Sequence, residues 1–162
     1  YSLIKQHELF NAIEQRDPRA ARYMQWAGHY EFGSNRTPIN TGDHAKTKDV
    51  IAAWTNHEEV KGWALYWDAL HRWTYNTLKA DKTLRKAVKI VDYDALCSAP
   101  DVRLSAVLTH CGLTLPKAEL KTLAERISPP SYYKRTLSKT DELLIETITR
   151  TTYDDLQTLA AE

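Results

Sequence analysis

Apolar positions along this chain follow two rhythms. In the first they recur every three or four residues, the spacing of one helical face. From Glu58 to Leu78 the stripe runs Val60, Trp63, Ala64, Trp67, Leu70, Thr74, Thr77 and Leu78, which predicts the longest helix and a core built on its tryptophans. Ser2 to Gln15 repeats the pattern with Leu3, Phe10 and Ile13, and Lys117 to Ile127 repeats it again. Ser138 to Leu159 is a last helix, opened by the capping signal Ser138-Lys-Thr-Asp141. Shorter helices are expected over Ala20 to Ala27, behind Asp17-Pro18, and over Lys46 to Trp54. Thr55-Asn-His-Glu58 fits a capping box for the long helix. Between these lie two loops rich in turn residues, Gly28 to Asp43 and Ser128 to Leu137.

The second rhythm occurs once. Ala87 to Val91 is a short β-branched run bounded by charge, too short for a helix, and it reads as a buried strand. It runs into Asp92-Tyr93-Asp94, then a turn, then a helix opened by Pro100. That helix carries Val102, Ala106 and Leu108 to Cys111 on its apolar side, and Gly112 is placed to end it. One strand cannot satisfy its own hydrogen-bonding groups. Its partners are therefore expected in residues outside this sequence or in another chain.

With 162 residues the chain can bury one domain's core, and five Trp and nine Tyr mark it as globular. A net charge of +1 gives no electrostatic case for nucleic acid or an anionic membrane, and no apolar run reaches membrane length. The first residue is Tyr1, not Met, which points to processing or truncation. Cys97 and Cys111 lack metal-ligand spacing and read as two buried thiols of a reducing compartment, hence a cytoplasmic location. His44, His57, His71 and His110 also lack the spacing and carboxylate partners of a metal site, so no metal is expected.

The central stretch Val91-Asp92-Tyr93-Asp94-Ala95-Leu96, then Ala99-Pro100, then Cys111-Gly112-Leu113, resembles the C-terminal half of the sulfotransferases that use 3′-phosphoadenosine 5′-phosphosulfate (PAPS). In that family a strand ends in an aromatic-acidic corner, followed by a proline, a helix and a Gly-Leu pair. The loop Ser128-Pro-Pro-Ser-Tyr-Tyr-Lys134 looks like the one that closes over the nucleotide. The aromatic helix around Trp54 to Trp73 matches the one that precedes the strand, and Tyr1-Ser2-Leu3-Ile4-Lys5-Gln6-His7 looks like the helix after the family's Arg-Asp-Pro element. The resemblance covers nearly the whole chain but about half of the family's fold. It implies an α/β, P-loop-like fold of which residues 1–162 are the C-terminal portion, mostly helical with one strand, the N-terminal half with its phosphosulfate loop being absent. Arg16-Asp17-Pro18-Arg19 has the letters of Arg-Asp-Pro, but Phe10 to Gln15 before it is helical rather than strand-like, so it reads as a helix junction capped by Asp17.

The resemblance implies sulfuryl transfer from PAPS to a hydroxyl or amine acceptor, by positioning and charge stabilisation as in phosphoryl transfer. Ser2, a hydroxyl at a helix start, would hold the 3′-phosphate; otherwise it is a plain cap. Tyr93 would reach the nucleotide or, equally, pack as a core tyrosine under the loop. Ser131, Tyr132, Tyr133 and Lys134 would flank adenine and neutralise phosphate, against a reading as a Pro-Tyr loop on the core. Asp92 and Asp94 would hold the corner through backbone N–H groups. His29 or Glu31 could face an acceptor as a base, although a surface loop is the plainer reading. No Gly/Ser/Thr-rich phosphosulfate loop is present, so the chain alone is expected to bind PAPS weakly or not at all and to be inactive. The acceptor and the catalytic base stay unidentified. Two other readings compete: a non-catalytic helical module that buries aromatics against a partner, and the helical half of a nucleotide kinase, which would call for Mg²⁺ and carboxylate ligands.

Overall fold

The computed structural model describes residues 2–27, 31–130 and 136–161. Among the described residues there are nine helices and no strand. They are α1 (Ser2–Arg16), α2 (Pro18–Ala27), α3 (His44–Thr55), α4 (Glu59–Ala80), α5 (Lys82–Ala87), α6 (Tyr93–Ser98), α7 (Pro100–His110), α8 (Lys117–Ala124) and α9 (Lys139–Ala161).

This overturns the α/β reading. Ala87 ends α5, and Val88 has extended backbone (φ −114°, ψ 127°), but Val88 to Val91 pairs with no other segment among the described residues and is not a strand. Extended dihedrals are a local preference of β-branched residues, whereas a strand needs a neighbour's hydrogen bonds. Val91 is exposed and Val88 to Ile90 are half-buried, so the expected burial is also missing.

The helices form two compact units. The first holds residues 2–74 and 136–153, and the second residues 75–130 and 154–161. In the first, the aromatic stripe is buried only in part: Trp63 joins Val50 and Trp54 of α3 and Tyr66 of α4, which lies outside the expected stripe, in the buried cluster, while Trp67 is half-buried. Leu3, Ile4, Phe32, Leu65 and Leu70 close around it. Trp54 and Trp63 lie 5.0 Å apart with rings tilted by 58°, and Tyr66 meets Trp54 edge-on at 5.7 Å, which places a ring edge against a π face. Thr152 of α9, almost fully buried, donates to Asp68 and accepts from Arg72 Nε at 3.0 Å, and Lys46 reaches Asp68 at 3.2 Å, so α3, α4 and α9 share one polar contact.

The junction at Asp17 forms as the sequence indicates. Asp17 accepts from the Arg19 backbone N–H at 2.9 Å and from the Arg19 guanidinium, and α2 starts at Pro18. The capping box at Thr55 does not form. Thr55 is the last residue of α3, and its hydroxyl donates to the Ile51 carbonyl at 2.8 Å. His57 instead takes the left-handed conformation (φ 59°), with Glu58 N–H donating to Ala53 O and His57 N–H to Trp54 O. Those two bonds are a Schellman stop, with histidine where glycine is usual.

In the second unit, Asp92 caps α6, a helix where a turn was expected, by accepting from Ala95 N–H at 2.7 Å. Pro100 opens α7 and Gly112 (φ 68°) follows its end, both as expected. The apolar side of α7 is only partly covered: Leu104, Val107 and Leu108 are half-buried where the helix packs with α6 and α8, but none of its residues is fully buried and Val102 is 71% exposed. Leu78, Ala124, Leu156 and Leu159 are the buried apolar residues here. Cys97 and Cys111 are free thiols, and Cys111 is exposed rather than buried. No described helix is long and apolar enough to cross a membrane.

Candidate functional site

The sequence-derived candidates are distributed over both units. Tyr93 and the segment before Ser131 belong to the second unit, and Ser2 to the first. Ser131, Tyr132, Tyr133 and Lys134 lie outside the described residues, as does His29.

In the second unit the corner and the loop meet. The Tyr93 hydroxyl donates to the Ser128 carbonyl at 3.1 Å, across 35 positions of sequence. Tyr93 is 53% exposed, so it is an accessible ring at the first turn of α6 and not a core residue. Asp92 Oδ1 caps α6 while its other oxygen accepts from Gln157 of α9, which fixes the corner on two sides. This is the structural role expected of Asp92. Asp94 lies in the first turn of α6, where a carboxylate complements the helix dipole. Beside the corner, Lys89, Asp92, Arg103 and Gln157 line a cleft of about 260 Å³. Arg85 braces the extended segment by donating to the carbonyls of Val88 at 3.2 Å and Leu159 at 2.6 Å.

In the first unit Ser2 is the first residue of α1, and it is exposed. It lines a cleft of about 410 Å³ with Glu31, Phe32, Trp67 and His71. The Tyr66 hydroxyl donates to Glu31 at 2.8 Å and accepts from Ile39 N–H at 3.2 Å. Burial, reinforced by the Glu31 carboxylate, pushes the Tyr66 phenol up to about 12, so it stays a donor at neutral pH. Trp67 and His71, one helical turn apart on α4, stack at 4.0 Å with a 17° tilt.

A partly buried polar cluster that the sequence analysis did not anticipate lies in the same unit. Arg36 makes a two-pronged ion pair with Glu59, at 2.6 and 2.5 Å, while its guanidinium carbon sits 4.3 Å from the Trp54 ring centroid. His7 Nδ1 accepts from Gly33 N–H at 3.2 Å, and Nε2 lies 2.9 Å from Arg36 Nη1. Burial, then the Arg36 charge, holds the His7 ring below its usual 6.5, although Glu59, Glu14 and Glu8 pull the other way. Glu14 accepts from the Ser34 N–H at 2.8 Å and its hydroxyl at 2.6 Å. Arg36 and Glu59 are 23 residues apart with no shared motif, so spacing carries no signal of the pair. No group of three or more His, Cys, Asp or Glu among the described residues is arranged to hold a metal ion. Compared with protein-family models, curated proteins and solved structures, the chain matches none of them.

Proposed function

We propose that this chain supplies the 3′-phosphate and adenine side of a PAPS donor site, in a protein that transfers a sulfuryl group to a hydroxyl or amine. The single observation behind this reading is the Tyr93–Ser128 hydrogen bond. It ties an accessible aromatic ring to Ser128, the first residue of the Ser128–Lys134 loop that the resemblance names as the other candidate. Tyr93, Tyr132 and Tyr133 offer rings for adenine to stack on, and Lys134 offers a cation for phosphate. In the transfer, the sulfur–oxygen bond to the 5′-phosphate breaks as a new bond to the acceptor oxygen or nitrogen forms, and the acceptor proton leaves to a base. The reading no longer uses a strand in this chain. It also leaves Ser2 out, because the cleft that Ser2 lines has the Glu31 carboxylate and no Lys or Arg among the described residues, which is a poor setting for a phosphate.

Calorimetric titration of the natural polypeptide carrying these residues tests it. Adenosine 3′,5′-bisphosphate is expected to bind at least about tenfold more tightly than adenosine, with Lys134→Ala removing most of the difference, since one charge-assisted hydrogen bond is worth roughly 1.5–3 kcal/mol. Equal binding of the two ligands, or a bisphosphate affinity indifferent to both Lys134→Ala and Tyr93→Ala, overturns the reading. A second reading, a non-catalytic interaction module, is favoured by Tyr23 (57% exposed) and Trp26 (83% exposed), which lie one turn apart on α2. It forecasts no nucleotide binding at all.

A further inference from the structure

The aromatic cleft of the first unit has a chemistry of its own. Phe32, Trp67 and His71 supply flat walls, and Phe32 is itself stacked on Trp63 at 5.5 Å. Its volume of about 410 Å³ lies within the roughly 300–1,000 Å³ of small-ligand sites.

Two of the polar groups on those walls are acceptors. His71 Nδ1 is 2.8 Å from the Trp67 carbonyl. A carbonyl only accepts, so Nδ1 carries a proton, and in the tautomer that this bond selects Nε2 is the ring's acceptor. Glu31 uses Oε1 to accept from Tyr66, and Oε2 has no hydrogen-bond partner among the described residues. Ser2 adds a hydroxyl at the rim. No Lys or Arg among the described residues lines the cleft. Two acceptors beside flat apolar walls, with a carboxylate and no cation, select a ligand that donates hydrogen bonds and repel one that carries negative charge.

We propose that this cleft binds a neutral ring bearing hydroxyl donors, one apolar face of the ring lying on Trp67 and its hydroxyls donating to Glu31 and His71. A sugar and a phenol both have that chemistry. The inference rests on the first unit alone and stands or falls separately from the donor-side reading, which uses residues of the second.

The test follows the indole N–H signal of Trp67 in the full chain by NMR, assigned with Trp67→Phe, during separate titrations with 4-methylphenol and methyl β-glucoside. A saturable shift with either supports the site, and which one saturates identifies the source of the ring. Glu31→Gln, which keeps an acceptor for Tyr66 but removes the charge, is expected to weaken the bound ring by about three- to tenfold, as loss of a charge-assisted bond implies. The same change is expected to admit benzoate, which the wild-type cleft refuses. Trp67→Ala is expected to abolish saturation while Trp26→Ala, far out in solvent, leaves it unchanged. The proposal is overturned if neither ring saturates, if benzoate or adenosine 3′,5′-bisphosphate binds the wild-type cleft as well as the neutral ring does, or if tetramethylammonium binds more tightly than both rings.

Discussion

Gly62 holds its Cα so close to Trp54 that a Cβ there would stand 2.3 Å from Cδ1 and 2.5 Å from Nε1 of the indole. Gly62 lies in the first turns of α4, where alanine would ordinarily gain about 0.8–1.0 kcal/mol of helix propensity. The indole has nowhere to retreat: Trp63 is 5.0 Å away, Tyr66 5.7 Å, and the Arg36 guanidinium covers its face. Overpacking a site of this kind costs about 1–3 kcal/mol. Gly62→Ala is therefore expected to lower Tm, each kcal/mol corresponding to about 2–4 °C for a chain of this size. A thermal melt in which the alanine variant is as stable as wild type would mean that the Trp54 ring has room to move.

Arg36 serves two partners with one planar group, the Glu59 carboxylate at its edge and the Trp54 ring at its face. Lysine keeps the charge but has neither the fork nor the plane. Arg36→Lys is expected to destabilise the first unit by about 1 kcal/mol, the scale of one net hydrogen bond. Glu59 is over a third exposed, so solvent screening keeps the pair's own share modest. A double-mutant cycle with Glu59→Gln separates the ion pair from the stacking. Full additivity would show that the pair contributes nothing.

His7 makes the first unit sensitive to acid. Its ring is held below 6.5, the value it regains on unfolding. As pH falls through 6.5 the unfolded chain takes up a proton that the folded chain refuses, so stability drops toward the lower folded pKa. Burial raises the Glu59 pKa, but the Arg36 hydrogen bond and charge outweigh it and hold Glu59 below its usual 4.5. A second loss therefore begins as pH falls through 4.5, by the same linkage. Denaturant titrations between pH 8 and pH 4 should show both stages, and His7→Gln should flatten the first and leave the second. A wild-type stability that is flat from pH 7 to pH 5 would contradict a neutral, buried His7.

His57 sits at φ 59°, which costs a non-glycine residue roughly 1–2 kcal/mol. Against this, glycine adds about 0.4–1 kcal/mol of unfolded-chain freedom. His57→Gly is expected to stabilise the chain slightly, raising Tm by a degree or two on the scaling of about 2–4 °C per kcal/mol. A lower Tm would show that the imidazole makes a stabilising contact.

Helix positions were legible because their causes are local. The Trp63-Trp67-Leu70 stripe, Asp17 before Pro18, and Pro100 with Gly112 each act within a few residues, and each element formed near its expected bounds. Thr55 shows how local signals also mislead. Its capping box competed with a Schellman stop one turn of chain away, and the stop prevailed.

The sequence by itself determined the places of seven of the nine described helices, which faces carry aromatic mass and where several helices begin and end, because those depend on neighbours a few bonds away. The tertiary structure decided the rest. Val88 to Val91 had the residues of a strand but found no ladder among the described residues, since a strand is a property of two segments and not of one. Glu31 and His71 line one cleft, and Tyr93 meets Ser128, only because folding closes 40 and 35 positions of chain. No periodicity along a sequence encodes distances of that kind. They follow from which surfaces lose water together.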